Sequence, residues 1–231
     1  ASLYENRVNG ILADDMGMGK TIQAISILAY LKETVKIKKP HLIIAPKSTI
    51  SNWMKEFKTW APFFKVVNLI PTAEHRDEII RNQMQPGYFD VCVTTYEAVL
   101  ICGSTLAKHD FHYVIFDEAH KLKNSDSKNL KQAARFHRTL ACCLLVHLSK
   151  TMLVSFGSSQ HAHALTFVNK DDFVEWFDFA KFEADSEKKM QMVKKLHMIL
   201  RPFLLRRTKS DLATKLPDKI EINISVSLSP V

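Results

Sequence analysis

The chain has 231 residues, 46% of them hydrophobic, which is enough for the core of one α/β domain with a small addition. Its 32 Lys and Arg against 24 Asp and Glu give a net charge of +8, which favours a polyanionic partner but discriminates weakly between classes of protein. Four cysteines without C-x-x-C spacing indicate neither a zinc site nor a disulfide framework, so we expect a reducing intracellular compartment. No stretch reaches the length of a membrane span and no signal peptide opens the chain, so we expect no membrane contact.

The first motif follows the apolar run 10–13, which predicts a short strand. It reads Asp14-Asp15-Met16-Gly17-Met18-Gly19-Lys20-Thr21. Glycines let backbone N–H groups close around phosphate oxygens, and the N-terminus of the following helix adds a favourable partial charge. We expect Lys20 to neutralise the β/γ-phosphates of a nucleotide and Thr21 to offer its hydroxyl to Mg²⁺. The strict pattern has a small residue where Asp14 stands, and alone the string is also compatible with a simple turn.

The second motif ends the apolar, aromatic run 111–116, which predicts a buried strand. It reads Asp117-Glu118-Ala119-His120. Two adjacent acids at the end of a buried strand are costly unless a positive group lies beside them, and a Mg-nucleotide held by the first motif supplies one. We expect Asp117 to hold the metal through its water shell and Glu118 to orient or deprotonate the attacking water. The alternative is a helix N-terminus capped by acids.

Between the two motifs, apolar runs alternate with segments of helical period. The predicted strands are 41–45, 66–70 and 89–95. Helices are predicted at 21–32, at 74–84 and from a start at 96–100. A further helix, capped by Ser48 or Ser51, is predicted to carry Trp53, Met54, Phe57 and Trp60. This alternation predicts right-handed βαβ units and a mostly parallel sheet flanked by helices, which is an α/β fold. Ligands of such sheets bind beyond the carboxyl ends of the strands, where both motifs fall.

After the second motif a helix is predicted over 128–136, and beyond Asp171 the pattern becomes all-helical. Apolar residues share a face in 173–180 and again in 192–200, where Pro202 ends the second helix. These stripes are typical of packed helices rather than of a cofactor site. Basic residues cluster at 32–39, 188–195 and 201–209, and a solvated surface is the simplest interpretation of each cluster.

With both motifs and the turns between them placed, the chain resembles the first RecA-like lobe of a Swi/Snf-type chromatin-remodelling ATPase of helicase superfamily two, in its ISWI branch. The resemblance extends over nearly the whole chain and rests on the strings at 9–21, 43–49, 52–53, 94–97, 196–198 and 201–209. Asp14 itself matches the pattern of this family, which accounts for its departure from the generic loop.

This resemblance implies a DNA-dependent ATPase that uses ATP and Mg²⁺, with Lys20 and Glu118 as catalytic residues and Asp117 to His120 as a DEAH box. It also implies sequence-independent contacts with the phosphate backbone of double-stranded DNA from two turns, which consist of Lys47, Ser48 and Thr49 and of Thr94, Thr95 and Tyr96. Each turn has a structural alternative. The first is also a plain strand-to-helix turn, and the second is also the end of a strand.

The resemblance further implies nucleosomes as partners, other subunits of a remodelling complex and a nuclear location. The chain lacks an initiator Met and ends abruptly at Val231, so we expect it to be part of a longer protein. The glutamine that reads adenine would precede Ala1, and the second RecA-like lobe with its arginine finger would follow. Because such an arginine is worth ~10³–10⁵ in rate in other NTPases, we expect the isolated chain to hydrolyse ATP poorly.

One segment departs from the family pattern. After Arg138 the family runs Leu-Leu-Leu-Thr-Gly-Thr-Pro-Leu-Gln-Asn-Asn, whereas this chain has an unrelated string from Cys142 to Met152. Codons for Cys143 to Met152 can be chosen so that, read one frame over, they encode Leu-Thr-Gly-Thr-Pro-Leu-Gln-Asn-Asn. We therefore hypothesise a frameshift, as an artefact or a real lesion, that begins near 140–142 and is restored before Asp171.

These observations divide the chain into three parts. Residues 1–140 form the core of the RecA-like ATP-binding lobe, 141–170 are the anomalous segment, and 171–231 form a helical protrusion with the lead-in to the second lobe. We expect a strand at 141–146 and irregular packing at 150–170. Two alternatives stay open beside the remodelling motor: a non-catalytic remnant that binds ATP or DNA, and a helicase of another branch, against which the string at 201–209 argues.

Overall fold

Short apolar segments of the chain form a parallel β-sheet, and helices cover both of its faces. The computed structural model describes residues 2–6, 9–70, 73–119, 140–144, 198 and 201–209. In these ranges the strands are β1 (Gly10–Leu12), β2 (His41–Ala45), β3 (Val66–Leu69), β4 (Val91–Thr95), β5 (Tyr113–Phe116), β6 (Leu140–Leu144) and β7 (Leu204–Leu205). Their order is β3-β4-β2-β5-β6-β1-β7, and every neighbouring pair is parallel. This arrangement confirms the α/β fold class.

Five α-helices lie in the described ranges: α1 (Ser2–Glu5), α2 (Lys20–Glu33), α3 (Ile50–Trp60), α4 (Ala73–Gln83) and α5 (Tyr96–Leu106). Short 3-10 helices at Lys47–Thr49 and Arg201–Phe203 precede α3 and β7. None of the described helices is long and apolar enough to cross a bilayer. The elements predicted from periodicity up to residue 116 are therefore present, with bounds that differ by a few residues. The predicted helices at 128–136 and 173–180 lie outside the described residues, as does the predicted helix at 192–200 apart from Met198.

Alternate residues of the central strands pack on opposite faces of the sheet, as the two-residue period of a strand requires. On one face Ile43 and Ile115 pack with Leu28 of α2 and with Trp53 and Phe57 of α3. On the other face, residues of the strands and of α5 share a second cluster, against which Ile79 and Ile80 of α4 pack. Its members include Leu42, Ile44, Val114, Phe116, Val99, Cys102 and Leu106. The sheet is thus buried on both faces, which explains why its strands are continuously apolar.

The start of α3 and one residue of its expected apolar face differ from the sequence prediction. Neither Ser48 nor Ser51 caps the helix, because a 3-10 turn occupies 47–49 and the N-cap is Thr49, which makes no side-chain capping bond. The prediction of a serine cap was wrong, since the turn satisfies the chain there by main-chain bonding from Thr49 N–H to the Pro46 carbonyl at 3.0 Å. Trp60 is exposed, and its Nε1 donates to Glu56 Oε2 at 2.7 Å.

The amino-terminal edge of the sheet contains a group of aromatic and imidazole side chains. The Tyr4 hydroxyl and His112 Nε2 lie 3.0 Å apart, and the rings of His112 and His41 meet edge to face with 6.0 Å between centroids. His41 is buried, and burial together with the nearby His112 lowers its pKa to about 3. This imidazole is therefore neutral near pH 7 and contributes to the fold as a packing group.

Candidate nucleotide site

The loop between β1 and α2 has the conformation that its glycines permit. Gly17 and Gly19 have φ angles of 86° and 74°, in the left-handed region that residues with a Cβ rarely adopt. A Cβ built on either glycine would meet no heavy atom within 4 Å, so the requirement for glycine is one of backbone conformation. Helix α2 begins at Lys20, directly after Gly19, and its N-terminus therefore faces the loop. Exposed backbone N–H groups and a helix N-terminus at one place can bind an anion.

The Lys20 side chain points back into this loop. Its Nζ donates to the carbonyl oxygen of Asp14 at 2.7 Å and to that of Asp15 at 3.0 Å. The ammonium group is thus held at the mouth of the loop by two neutral acceptors, which phosphate oxygens can replace. Thr21 follows in the first turn of α2 and is half-buried.

Asp14 is fully buried, with 0% of its surface exposed, and contacts a residue 193 positions later in the chain. Its carboxylate accepts hydrogen bonds from the Arg207 backbone N–H at 2.9 Å, from Arg207 Nε at 3.1 Å and from Arg207 Nη2. Gln23 Nε2 donates to the same carboxylate at 3.3 Å. Burial alone would raise the pKa of Asp14, but the hydrogen bonds from Arg207 and Gln23 outweigh it and hold the pKa below its ordinary value. Asp14 therefore stays ionised inside the lobe.

Asp117 comes directly after β5, and donors from α3 and from the turn before it fix its side chain. Trp53 Nε1 donates to Asp117 Oδ2 at 2.9 Å, and the Thr49 hydroxyl is 3.3 Å from the same oxygen. The main chain is held as well, because Asp117 N–H donates to the Ile44 carbonyl at 2.8 Å and the Tyr96 hydroxyl donates to the Asp117 carbonyl at 2.7 Å. Trp53 Nε1 is the firmer of the two donors to Oδ2, because the single proton of the Thr49 hydroxyl is shared with the Pro46 carbonyl oxygen at 3.0 Å.

Glu118 has a φ angle of 51°, in the left-handed region, although it is not glycine. Such a conformation costs of order 1–3 kcal/mol and is found most often at functional sites. Ala119 follows and is buried, whereas His120 lies outside the described residues. The chain therefore leaves the extended conformation at Glu118, two residues after the end of β5.

Both motifs lie at the carboxyl edge of the sheet, with one strand between them. The loop follows β1 and Asp117 follows β5, and β6 pairs with both strands. Neighbouring strands are about 4.8 Å apart, so β1 and β5 are about 10 Å apart. A phosphate chain with its metal ion fits that separation. Within the described residues, no group of three or more His, Cys, Asp or Glu is placed to hold a metal.

The two turns that the sequence analysis relates to DNA differ in exposure. Lys47 and Ser48 are exposed, at the same sheet edge as Asp117 because β2 neighbours β5. Thr94 and Thr95 are the last residues of β4 and are buried. The Thr94 hydroxyl donates to the Leu69 carbonyl at 2.8 Å, while the Thr95 hydroxyl caps α5 by accepting from Ala98 N–H at 3.0 Å. Tyr96 is buried too, so this second turn presents no side-chain hydroxyl to solvent.

A parallel α/β sheet with a glycine loop after one strand and an acidic end on another defines the class of RecA-like nucleotide-binding folds. Comparison with known proteins identifies the family within that class. The SNF2-related domain matches residues 1–231, and the chain belongs to that family.

Similar proteins of known name agree with this assignment. The chain is 41% identical, over 99% of its length, to the human SWI/SNF-related matrix-associated actin-dependent regulator of chromatin subfamily A member 1. It is also 41% identical, over 98% of its length, to the probable chromatin-remodeling complex ATPase chain of Oryza sativa subsp. japonica. It covers 22% and 20% of these two proteins, about a fifth of the curated relatives it matches.

A solved structure is similar over most of the chain. This is the Sulfolobus solfataricus SWI2/SNF2 ATPase core in complex with dsDNA, with a TM-score of 0.69 and 27% sequence identity. The match covers 92% of this chain and 42% of that one. The RecA-like architecture that the family resemblance implied is therefore confirmed.

Sequence reasoning missed two contacts in the site. Trp53 was predicted only as part of an apolar helix face, although a buried indole N–H needs an acceptor, and that requirement points to a polar group nearby. Arg207 was assigned to the lead-in to a second lobe and to a solvated basic cluster. Nothing in its local sequence indicates that this segment returns to the edge of the sheet beside β1.

Proposed function

We propose that this chain is the ATP-binding first lobe of a DNA-dependent ATPase that moves along DNA and remodels nucleosomes. The observation that carries the proposal is the placement of the glycine loop and the Asp117-Glu118 pair at one sheet edge, separated by one strand. Membership in the SNF2-related domain family and the names of the relatives support the type of motor.

The loop residues Asp14 to Thr21 would hold the phosphates of ATP. Lys20 exchanges its two carbonyl acceptors for oxygens of the β- and γ-phosphates, which adds charge complementarity without a change in the loop backbone. Thr21 and Asp117 would hold Mg²⁺, with Asp117 acting through metal-bound water. When bound, this ion neutralises charge on the phosphate oxygens. The residues present fit such a group because Trp53 Nε1 donates to Oδ2, which orients the carboxylate and leaves Oδ1 for the metal-bound water.

Glu118 would orient the attacking water and accept its proton. A general base must lie within hydrogen-bond reach of the proton it takes, so its side-chain direction matters. The left-handed backbone at Glu118 separates it from the extended conformation of the strand before it. Lys20 stabilises the charge that develops on the transferred phosphoryl group, as a fixed cation does in such sites. A second RecA-like lobe would complete the site with an arginine.

Contact with DNA would be centred on Lys47 and Ser48, which are exposed beside the nucleotide site. Thr49 extends this turn, and its hydroxyl lies 3.3 Å from Asp117 Oδ2. A shift of the turn would therefore change the surroundings of the Asp117 carboxylate. Thr94, Thr95 and Tyr96 would contribute through main-chain groups of their turn, because their hydroxyls are bonded inside the lobe. Such contacts position a duplex without reading its sequence.

The partners and location follow from the same proposal. They are double-stranded DNA, nucleosomes, a second lobe and other subunits of a remodelling complex in the nucleus. The names of the human and Oryza sativa relatives, a regulator of chromatin and a chromatin-remodeling complex ATPase chain, support this set. The solved archaeal core that the chain resembles was in complex with double-stranded DNA.

A second candidate function is a non-catalytic remnant that binds ATP or DNA without coupling the two. The anomalous segment 141–170 favours it, because β6 lies between the two motifs and the family's Thr-Gly-Thr turn would follow that strand. We propose that a frameshift produced this segment. Sequencing the transcript across codons 138–172 decides the point, since an unbroken frame that encodes the printed residues would exclude an artefact.

The proposed function is tested by DNA-stimulated ATPase activity of the full-length, frame-corrected protein. Glu118→Gln keeps the size of the side chain and removes the base, so we expect turnover to fall by about 10²–10⁴-fold while ATP still binds. The matched control is Glu33→Gln at the exposed C-terminal end of α2, which should leave turnover near the wild-type value. Undiminished turnover in Glu118→Gln would refute the role of Glu118, and an unaltered enzyme that hydrolyses no ATP would favour the remnant.

A further inference from the structure

We propose that Arg207 is a positioning residue for the phosphate-binding loop, acting through Asp14 and Asp15 rather than by touching the nucleotide. The inference rests on the proposed function, because it assumes that the loop binds ATP. It assigns a role to the segment 204–209, which is remote in sequence and adjacent in space. This segment makes hydrogen bonds with the first two residues of the loop, Asp14 and Asp15.

The first step is the buried carboxylate. Asp14 has no exposed surface, and a buried charge is stable only when it is paired and hydrogen-bonded. Arg207 supplies a backbone N–H and two guanidinium N–H groups to it. A planar guanidinium is the side chain best suited to several parallel bonds with a carboxylate. The ion pair therefore fixes the position of Asp14 at the point where β1 passes into the loop.

The second step is the main chain. Ala13 N–H donates to the Leu205 carbonyl at 2.8 Å, and Asp15 N–H donates to the Arg207 carbonyl at 3.1 Å. Lys209 N–H donates to the Asp15 carboxylate at 3.1 Å. The pairing of β1 with β7 thus continues beyond the strands into the loop. The first two loop residues are bound along one side by the segment 204–209.

Gln23 connects Asp14 to the rest of the loop. Gln23 of α2 donates from Nε2 to Asp14 at 3.3 Å and to the Met18 carbonyl at 2.9 Å. Its Oε1 accepts from Arg207 Nη2 at 2.7 Å. Gln23 therefore relates the far half of the loop, at Met18, to the same arginine. One side chain at 207 restrains both halves of the loop.

The restraint extends to the Lys20 ammonium group, which would contact the phosphates. Lys20 Nζ is held by the carbonyl oxygens of Asp14 and Asp15, the two residues that the segment 204–209 binds. Any shift of these carbonyls moves the acceptors of the ammonium group. A misplacement of about 1 Å at a reacting group can cost as much as about 100-fold in rate.

The test measures binding of Mg²⁺–ATP by calorimetry, and kcat and KM of DNA-stimulated ATPase activity, in the full-length, frame-corrected protein. Arg207→Met removes the guanidinium, and we expect ATP binding to weaken by about 10- to 100-fold. Arg206→Met is the matched control, because Arg206 is the adjacent, exposed arginine, and its binding should change by less than about twofold. Binding by Arg207→Met equal to that of the wild type would overturn the proposal.

A double variant separates positioning from direct contact with the nucleotide. If Arg207 acts through Asp14, the losses of Asp14→Asn and Arg207→Met should not multiply, because both remove the same interaction. The double variant should then bind ATP about as well as the weaker single variant. A product of the two losses would mean that Arg207 contacts the nucleotide itself, which contradicts the proposed role.

Two further variants distinguish a loss of folding and a loss of loop function from a loss of positioning. Arg207→Met leaves a buried carboxylate unpaired, and if it fails to unfold cooperatively, Arg207→Lys decides alone. Lysine keeps the charge but cannot reach Asp14 and Gln23 together, so we expect a near-normal melting temperature with ATP binding several-fold weaker and KM raised more than kcat is lowered. Normal KM in Arg207→Lys would then refute positioning. Lys20→Ala tests the underlying function separately, because ATP binding that survives this change would refute the loop itself and not the role of Arg207.

Discussion

The two halves of the candidate site reach the same sheet edge in different ways. The loop after β1 takes its shape from Gly17 and Gly19, whose left-handed conformations are a property of the local sequence. Asp117 has an ordinary position at the end of β5 and takes its side-chain direction from Trp53 and Thr49, which lie 64 and 68 residues away. The conformation of the loop therefore depends first on its own glycines and then on contacts with Arg207. The side-chain direction of Asp117 depends only on donors from other parts of the chain.

This difference indicates which substitutions should disturb each half of the site. The loop conformation should be disturbed by backbone strain at its glycines or by loss of the hydrogen bonds from Arg207. A carboxylate that owes its direction to donors fails when a donor is removed, even if the strand is intact.

The largest effect is expected at the Asp117 half. Trp53→Phe keeps a buried aromatic ring and removes the N–H that Asp117 accepts at 2.9 Å. A hydrogen bond to a charged group contributes about 1.5–3 kcal/mol, so we expect kcat/KM for Mg²⁺–ATP to fall roughly 10- to 100-fold. Trp60→Phe is the matched control, since its Nε1 donates to Glu56 on the exposed side of α3. Equal activity of the two variants would mean that Asp117 does not depend on its donor.

The amino-terminal edge of the sheet provides a second region for comparison, because none of the described residues proposed for the nucleotide site lies there. The pKa of His41 is about 3 when folded and near 6.5 when unfolded, so between these values the unfolded chain binds the extra proton. Stability therefore falls as pH falls, and the loss between pH 7 and pH 5 should be about 2 kcal/mol. Burial, His112 and Lys32 oppose the charged form of His41 and lower its pKa, whereas Asp90 favours the charged form. Urea unfolding of the wild type and His41→Phe measures the effect.

His41→Phe removes the titration while keeping a buried ring. We expect its unfolding free energy to change less between pH 7 and pH 5 than that of the wild type, and its ATP binding at pH 7.5 to be normal. If the two proteins lose the same stability over this range, the neutral buried imidazole is not the cause. Weakened ATP binding at pH 7.5 would show that the two edges of the sheet are coupled.

A smaller effect is expected at the loop half. Gly19→Ala places a Cβ on a residue with φ of 74°, and Gly87→Ala does the same at φ of 82° in a turn after α4. Neither Cβ would meet an atom within 4 Å, so both should cost only the backbone strain of about 1–2 kcal/mol. Thermal unfolding should show similar losses for both variants. Only Gly19→Ala should weaken ATP binding, and an equal loss of binding in Gly87→Ala would contradict the local origin of the loop's shape.

The smallest effect concerns the exposed turn beside Asp117. Lys47→Ala removes one cation from the proposed DNA contact, and we expect the slope of log affinity for duplex DNA against log salt to fall by about one unit. Lys38→Ala is the matched control, because Lys38 is also exposed but lies before β2, at the other edge of the sheet. A slope unchanged in Lys47→Ala would remove this lysine from the DNA interface.

Much of the fold could be predicted because its strands are short, apolar and separated by clear helical periods. The bounds of β2 were predicted without error at 41–45, since Pro46 follows the last apolar residue. The start of α3 was not, because a 3-10 turn and an uncapped Thr49 replace the expected serine cap. Caps of this kind depend on the path of the incoming chain, which local sequence does not specify.

The two glycine and acidic motifs could also be predicted, since each follows a strand and each type of residue has a defined chemistry. The sequence did not indicate that the Thr94 and Thr95 hydroxyls are bonded inside the lobe. Threonine at a strand end is compatible both with a surface contact and with a buried cap. Only packing against β3 and the first turn of α5 distinguishes these two outcomes.

By itself the sequence determined what is local in this protein: the strands, most helices, the left-handed glycines of the loop and the order of the two motifs. Tertiary structure alone decided that Arg207 returns to pair with Asp14, that Trp53 donates to Asp117 and that β6 lies between the two halves of the site. The physical reason is that backbone conformation and hydrophobic period are properties of neighbouring residues. A buried charge or indole, by contrast, finds its partner only when the sheet order brings distant segments together.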